Sequence, residues 1–247
     1  MREPGLGPAP PLDLPTFPLQ ADPSPAGTSA EVQWLGGDQL VLLYRGEDSA
    51  LSYSVEIGSG VPMVRPAVTG TCQGRKIGVF ESSRGGGPAV FMAFWTLGDG
   101  RAAELRAPVS TSEADLLAFC ELLVSVPLQA TVAYDLDLVP AGWTVVFTSA
   151  SQLALAASDD LSGPQIVVGV RVRTPPEELG GTTVSIGDGF GRIVTVRGLG
   201  QDVVVPLDAD RELRVSFPEI LDLSDGGELL QFVEGITVVP GALVGGT

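Results

Sequence analysis

Two stretches share one pattern and decide the predicted fold: Asp115-Leu116-Leu117-Ala118-Phe119-Cys120-Glu121 and Glu228-Leu229-Leu230-Gln231-Phe232-Val233-Glu234. Each follows a copy of the tripeptide Glu-Leu-Arg, at residues 104–106 and 212–214. A pattern that occurs twice in the same order indicates an internal repeat, which defines domain boundaries better than local propensity does. The chain is therefore predicted to contain two similar halves.

Three further matches occur in the same order, and the offsets of all the matches stay near 108 to 117 residues. They are Pro25-Ala26-Gly27 with Pro140-Ala141-Gly142, Gln39-Leu40 with Gln152-Leu153, and Gly74-Arg75 with Gly191-Arg192. Residues 1–27 carry a proline at every third or fourth position, which predicts an extended, mobile tether. The predicted organisation is a tether over 1–27, one repeat over 28–128, a second over 129–239, and a tail over 240–247.

Both repeats begin with short apolar or alternating runs bounded by Gly, Asp and Ser, which is typical of strands and turns. The clearest runs are Gln39–Arg45, Ser52–Ile57, Thr144–Phe147 and Ile166–Arg173. The turns Gly98-Asp99-Gly100 and Gly187-Asp188-Gly189 suit tight antiparallel connections. We therefore predict an α+β fold of two tandem similar domains, each a mostly antiparallel sheet packed by one C-terminal helix.

Helical spacing supports the two terminal helices. Ser112 with Asp115, or Ser110 with Glu113, can form a capping box before the first helix, and Asp225 with Glu228 can cap the second. The apolar stripes are Leu116, Phe119, Cys120, Leu123 and Val124 in the first, and Leu229, Phe232, Val233 and Ile236 in the second. Each stripe is interpreted as core packing.

Composition narrows the function classes. The formal net charge of −16 repels phosphate backbones and anionic lipids, so no nucleic-acid partner is predicted. No apolar run is long enough for a membrane span, so direct membrane insertion of this chain is not predicted. The chain lacks histidine, which removes the usual general base and the commonest metal ligand. Lys76, the single lysine, lacks the spacing of a phosphate-binding loop.

Cys72 and Cys120 are the two cysteines, and both lie in the first repeat. They are the candidate disulfide, which would imply an oxidising compartment. The alternative is a pair of buried thiols, because Cys120 lies on the apolar stripe of its helix.

Other candidate sites carry less chemistry. Gly187-Asp188-Gly189-Phe190-Gly191 precedes a strand rather than a helix, so it is predicted to be a turn and not a phosphate loop. The acidic pairs Asp159-Asp160 and Asp208 with Asp210 lack the spacing of a calcium loop. The sequence therefore predicts no catalytic residue, no metal site and no cofactor.

The order of several motifs resembles a known family. The motifs are Pro140 and Gly142-Trp143, Val170 to Pro176, Thr195 to Gly198, and Leu229 to Gly235, with Trp95, Gly98 and Leu116 to Glu121 in the first copy. The chain resembles the functionally uncharacterised sheet-plus-helix domain found outside the membrane on actinobacterial and other Gram-positive anti-sigma factors and single-pass membrane proteins. The first copy departs from it, because Pro25-Ala26-Gly27 is not followed by tryptophan.

The resemblance implies an extracytoplasmic sensing or protein-binding role, linked to sigma and anti-sigma signalling, with no catalytic residue. We therefore expect a noncatalytic module whose partner is another protein, on the ectodomain of a membrane-anchored protein. Two alternatives stay open: an enzyme using carboxylates alone, such as a glycoside hydrolase, and a structural or assembly protein. A cytoplasmic location is the alternative for the compartment.

Overall fold

A computed structural model describes residues 5–46, 52–59, 61, 68–72, 74–82, 90–109, 111–157, 163–175, 178–196, 200–221 and 227–240. The chain divides into two units, one of residues 14–131 and one that combines residues 1–13 with residues 132–247. No helix in the described ranges is both long enough and apolar enough to cross a membrane.

The predicted α+β class is wrong, because the fold is mostly β. Of the described residues, 54% lie in strands and only 9% in helices. The two helices in the described ranges contain ten and seven residues. Each ends before its apolar stripe does: Leu123 takes an extended conformation (φ −70°, ψ 110°), and Ile236 begins a strand. The stripe therefore passes from helix into strand while its side chains stay buried.

The leading segment is not a tether over its described residues. It contains the strands β1 (Leu6–Pro8), β2 (Thr16–Phe17) and β3 (Gln20–Ala21). They pair with residues 138–140, 128–129 and 123–124 respectively. Phe17 and Leu19 are buried in the core of the unit of residues 14–131. Proline in such short strands is tolerated because each strand has only one hydrogen-bonded neighbour.

In the unit of residues 14–131, seven strands are hydrogen-bonded in the order β4-β5-β6-β10-β9-β8-β7, all antiparallel. They are β4 (Thr28–Trp34), β5 (Leu40–Gly46), β6 (Ser52–Gly58), β7 (Val68–Cys72), β8 (Arg75–Ser82), β9 (Val90–Thr96) and β10 (Ala102–Arg106). Helix α1 (Glu113–Leu122) follows, then β11 (Leu123–Val124) and β12 (Leu128–Gln129). The capping box of α1 is the predicted one, Ser112 with Asp115.

In the other unit, seven strands are hydrogen-bonded in the order β15-β16-β17-β21-β20-β19-β18, again antiparallel. They are β15 (Thr144–Thr148), β16 (Gln152–Ala156), β17 (Gln165–Val172), β18 (Thr182–Ile186), β19 (Gly189–Val196), β20 (Gly200–Pro206) and β21 (Arg211–Phe217). Helix α2 (Glu228–Glu234) begins after Gly227 without a side-chain cap, and the candidate cap Asp225 lies outside the described residues. The remaining strands are β13 (Tyr134–Leu136), β14 (Leu138–Pro140) and β22 (Ile236–Val238).

The two units therefore share one strand order, which is what a duplicated unit would produce. In both, the Glu-Leu-Arg tripeptide lies on the last of the seven strands, β10 or β21. The predicted strand runs and the two tight turns are confirmed by these elements and their pairing. The match of Gly74-Arg75 with Gly191-Arg192 is wrong in register. In one unit Met92 lies between Phe80 and Arg106 on neighbouring strands, and in the other Val204 lies between Arg192 and Arg214. The residue that corresponds to Arg192 is therefore Phe80 and not Arg75.

Each unit buries its helix stripe against the apolar face of its strands. Leu116 and Phe119 join one core, and Phe119 stacks on Tyr53 with ring centroids 4.0 Å apart. Leu229 and Phe232 join the other, where Phe232 meets Phe217 edge-on. The interpretation of both stripes as core is confirmed.

Tyr134 is a buried polar anchor of the second core. Its hydroxyl accepts from the Val170 N–H (2.8 Å) and donates to the Ser151 carbonyl (2.7 Å). Burial raises the pKa of Tyr134 from 10.0 to about 12. Since the folded pKa is raised, this stabilisation is complete below pH 10 and is lost as the pH rises towards 12.

We therefore expect Tyr134→Phe to lower the free energy of unfolding by about 1–3 kcal/mol at pH 7, because the buried Val170 N–H and the partly buried Ser151 carbonyl lose their partner. Between pH 10 and 12 the gap between parent and variant should narrow. Urea denaturation of both proteins at a series of pH values measures the gap. If the difference in unfolding free energy between parent and variant stays constant up to pH 12, the pH-dependent stabilisation does not come from the Tyr134 hydroxyl.

Candidate functional site

Cys72 and Cys120 form a disulfide, with their Cα atoms 5.6 Å apart. The bond joins β7, the end strand of its sheet, to α1. In the other unit Val233 follows Phe232 as Cys120 follows Phe119, so an apolar side chain takes the place of the sulfur. The disulfide is a structural tie between a strand and a helix.

The acidic residues at Asp208 and Asp210 form a turn instead of a metal site. The Asp208 carboxylate accepts from the backbone N–H groups of Asp210 (2.9 Å) and Arg211 (2.8 Å) and from Arg211 Nε (2.8 Å). These hydrogen bonds lower the pKa of Asp208, and the bond from the Asp210 N–H is the largest cause. The described residues contain no group of three side chains that could hold a metal, and the pair Asp159-Asp160 lies outside them.

An equivalent turn occurs in the unit of residues 14–131, beside a cleft of about 450 Å³. Here Asp99 pairs with Arg101, whose side-chain hydrogen bond is the main cause of the lowered pKa of Asp99. Asp38, also at this cleft, accepts from the backbone N–H and the hydroxyl of Ser59, both at 3.0 Å. Asp99 and Arg101 pair with each other and Asp38 binds Ser59, so each charged side chain in the described lining of this cleft already has a partner.

The repeated Glu-Leu-Arg tripeptide places a carboxylate on the sheet face opposite the core. Neighbouring strand residues point to opposite faces, so Leu213 enters the core while Glu212 and Arg214 face the other way. Glu212 is nevertheless only 1% exposed. In the other unit Glu104 is equally buried and pairs with Arg106.

A network of hydrogen bonds compensates the buried charge of Glu212. Its oxygens accept from the Thr174 N–H (3.0 Å), the Thr174 hydroxyl (3.2 Å) and Arg214 Nη2 (2.8 Å). Arg214 Nη1 also lies 3.5 Å from the Asp202 carboxylate. Glu212 therefore holds the segment after β17 against the sheet.

That segment forms one wall of a cleft of about 230 Å³, which we call the arginine cleft. Its floor follows the strand register, in which Thr183, Arg192 and Val204 lie side by side across β18, β19 and β20. The described residues that line it are Arg173, Thr174, Leu179, Thr183, Phe190, Gly191, Arg192, Val204, Pro206 and Glu212.

Two guanidinium groups define the charge of the arginine cleft. Arg173 Nη1 donates to the Asp208 carbonyl (2.8 Å), and Arg192 Nη1 donates to the Leu179 carbonyl. Backbone carbonyls orient a guanidinium without cancelling its charge. Among the described lining residues the one carboxylate, Glu212, already pairs with Arg214. The described lining therefore carries more positive than negative charge, in a chain of net charge −16.

Apolar groups complete the arginine cleft. Val204, Pro206 and Leu179 contribute aliphatic surface, and the ring of Phe190 at the rim is 69% exposed. At Gly191 a Cβ would lie 2.5 Å from Ile186 Cδ1 and 3.0 Å from the Val204 carbonyl oxygen, so a larger residue there would displace the Ile186 side chain. The lining therefore combines fixed cations with an apolar surface.

The cleft borders β18, which is the last strand in the sheet order. Before β18, Gly181 has φ +98°, and a Cβ would collide with the Ile193 carbonyl oxygen, so only glycine allows this strand to begin here. An end strand leaves main-chain N–H and C=O groups on its outer side, which can pair with an extended segment.

The sequence did not predict the arginine cleft. Gly187 and Asp188 form the turn between β18 and β19, whereas Gly189, Phe190 and Gly191 of the predicted turn belong to β19, where the exposed Phe190 lies at the rim of the cleft. Lys76 is exposed on β8, in no phosphate-binding loop. The available signal was a phenylalanine set among glycines, which is unusual for a surface turn. Comparison with protein-family models, curated proteins and solved structures gives no match.

Proposed function

We propose that this chain is a noncatalytic, extracytoplasmic protein-interaction module that binds a partner segment in the arginine cleft. The cleft itself is the observation that carries the proposal: it combines two oriented cations, aliphatic surface and an exposed aromatic rim beside an end strand. Aromatic and arginine side chains are the residues most often responsible for binding energy at protein interfaces.

Two features support the noncatalytic and extracytoplasmic parts of the proposal. Glu212 is the only acidic side chain among the described residues of the cleft lining, and three hydrogen bonds already occupy its oxygens. The disulfide between Cys72 and Cys120 favours an oxidising compartment. The link to sigma and anti-sigma signalling that the family resemblance implies stays a prediction.

The proposal is tested with a library of random peptides, displayed both as internal loops and with free carboxyl ends, selected on the full chain. Peptides enriched by the selection are synthesised, and their affinity is measured by fluorescence polarisation. We expect Phe190→Ala to weaken binding about tenfold, as loss of an aromatic contact does at interfaces.

Phe80→Ala is the matched control, because Phe80 is an exposed phenylalanine (42%) on β8 of the other unit. The affinity of the Phe80→Ala variant for the selected peptides should stay within about twofold of that of the parent protein. A selection that yields no peptide dependent on Phe190 would overturn the proposal.

A further inference from the structure

The size of the arginine cleft restricts the size of the ligand that can bind in it. A volume of about 230 Å³ is below the range of about 300–1,000 Å³ typical of sites for whole small-molecule ligands. It suits one residue of a longer chain. Because the lining offers both cations and apolar surface, the bound residue must present an anion and an apolar group together.

A C-terminal apolar residue meets this requirement. Its carboxylate and its side chain leave the same Cα atom, so both enter one small cleft. In an extended internal segment, consecutive side chains point to opposite sides, so an acidic residue and its apolar neighbour cannot both point inward. Planar guanidinium groups also match carboxylates with paired hydrogen bonds.

We infer that the arginine cleft binds the C-terminal residue of a partner protein, with its carboxylate at Arg173 and Arg192 and its apolar side chain on Val204 and Pro206. This inference rests on the proposed function and names the chemistry of its ligand. Charge complementarity supports it, since the described residues provide Arg173 with no carboxylate partner and hold the Glu212 carboxylate on Arg214. Main-chain pairing along β18 is available to the residues that precede the terminus.

The test uses an acetylated heptapeptide of six glycine and serine residues followed by a terminal leucine. It is compared with its C-terminal amide, with an amidated peptide that carries an internal glutamate two residues before leucine, and with acetyl-leucine alone. Binding to the full chain is followed by NMR titration. The free acid is expected to bind about tenfold more tightly than the amide, because hydrogen bonds to a charged group are lost in the amide.

Variants locate the carboxylate. Arg173→Gln and Arg192→Gln should reduce the preference for the acid over the amide to about twofold or less, whereas Arg173→Lys should retain part of it. Arg101→Gln, on the turn of the other unit, is the control and should leave the preference unchanged. Because each arginine also holds a backbone carbonyl, the acid-to-amide ratio of the unaltered protein provides a measurement that needs no substitution.

Three results would overturn the inference: equal affinity for acid and amide, equal affinity for the amidated glutamate peptide, or acetyl-leucine binding as tightly as the heptapeptide. The last would indicate a site for a small free acid. If library peptides depend on Phe190 while acid and amide bind equally, the proposed function stands and this inference alone fails.

Discussion

Joint replacement of Cys72 and Cys120 by alanine is expected to lower the free energy of unfolding of the unit of residues 14–131 by about 4 kcal/mol. The bond closes a loop between residues 48 apart, and opening it returns conformational entropy to the unfolded chain. Cys120 is fully buried and Cys72 nearly so, so the loss also leaves small gaps between β7 and α1.

The effect is measured by guanidinium chloride denaturation with tryptophan fluorescence in a Trp143→Phe background. There Trp34 and Trp95 report on this unit alone. Parent protein treated with dithiothreitol should unfold at nearly the denaturant concentration of the double variant. An unfolding free energy that stays within about 1 kcal/mol of the oxidised parent would show that the bond contributes little.

The second large effect is expected at the buried carboxylate. Glu212→Ala should destabilise its unit by about 3–5 kcal/mol, because it leaves Arg214 with only the more distant Asp202 carboxylate and the Thr174 hydroxyl, and the Thr174 N–H with no acceptor. Glu219→Ala, which removes an exposed carboxylate, is the control and should change stability by about 0.5 kcal/mol at most.

Hydrogen exchange followed by mass spectrometry gives the local readout for these variants. Amides of β17, β20 and β21 that exchange through unfolding of the unit should exchange roughly 150- to 5,000-fold faster in Glu212→Ala than in the parent. Amides of β8 and β9, in the other unit, serve as the internal reference. Equal exchange in Glu212→Ala and Glu219→Ala would mean that the buried ion pair does not stabilise the sheet.

Local sequence patterns predict where strands and helices occur, but they overestimate the share of helix relative to strand. Alternating runs such as Ser52–Ile57 indicate strands because the side-chain period of a strand is two, and the spacing of Leu229, Phe232 and Val233 indicates a helix. The same stripe continues into β22, so period alone overstated the helices. Phe17 and Leu19 were overlooked because prolines surround them, although single apolar anchors are enough to bury a short strand.

The arginine cleft was beyond sequence reasoning for a different reason. Its lining comes from separate segments around residues 173–174, 179–183, 190–192 and 204–212. They meet only because β18 to β21 pair in one register, and a shift of one residue would turn Arg192 to the opposite face. No local motif encodes that register.

The pairing of Leu6–Pro8 with Leu138–Pro140 has a consequence for biosynthesis. Leu6–Pro8 are synthesised before the unit of residues 14–131 and their partners after it, so β1 waits on the order of ten seconds for its neighbour. During this interval the unit of residues 14–131 can complete all of its own strands. The unit of residues 14–131 is therefore inserted into the sequence of the other unit, and the two do not follow each other as tandem domains.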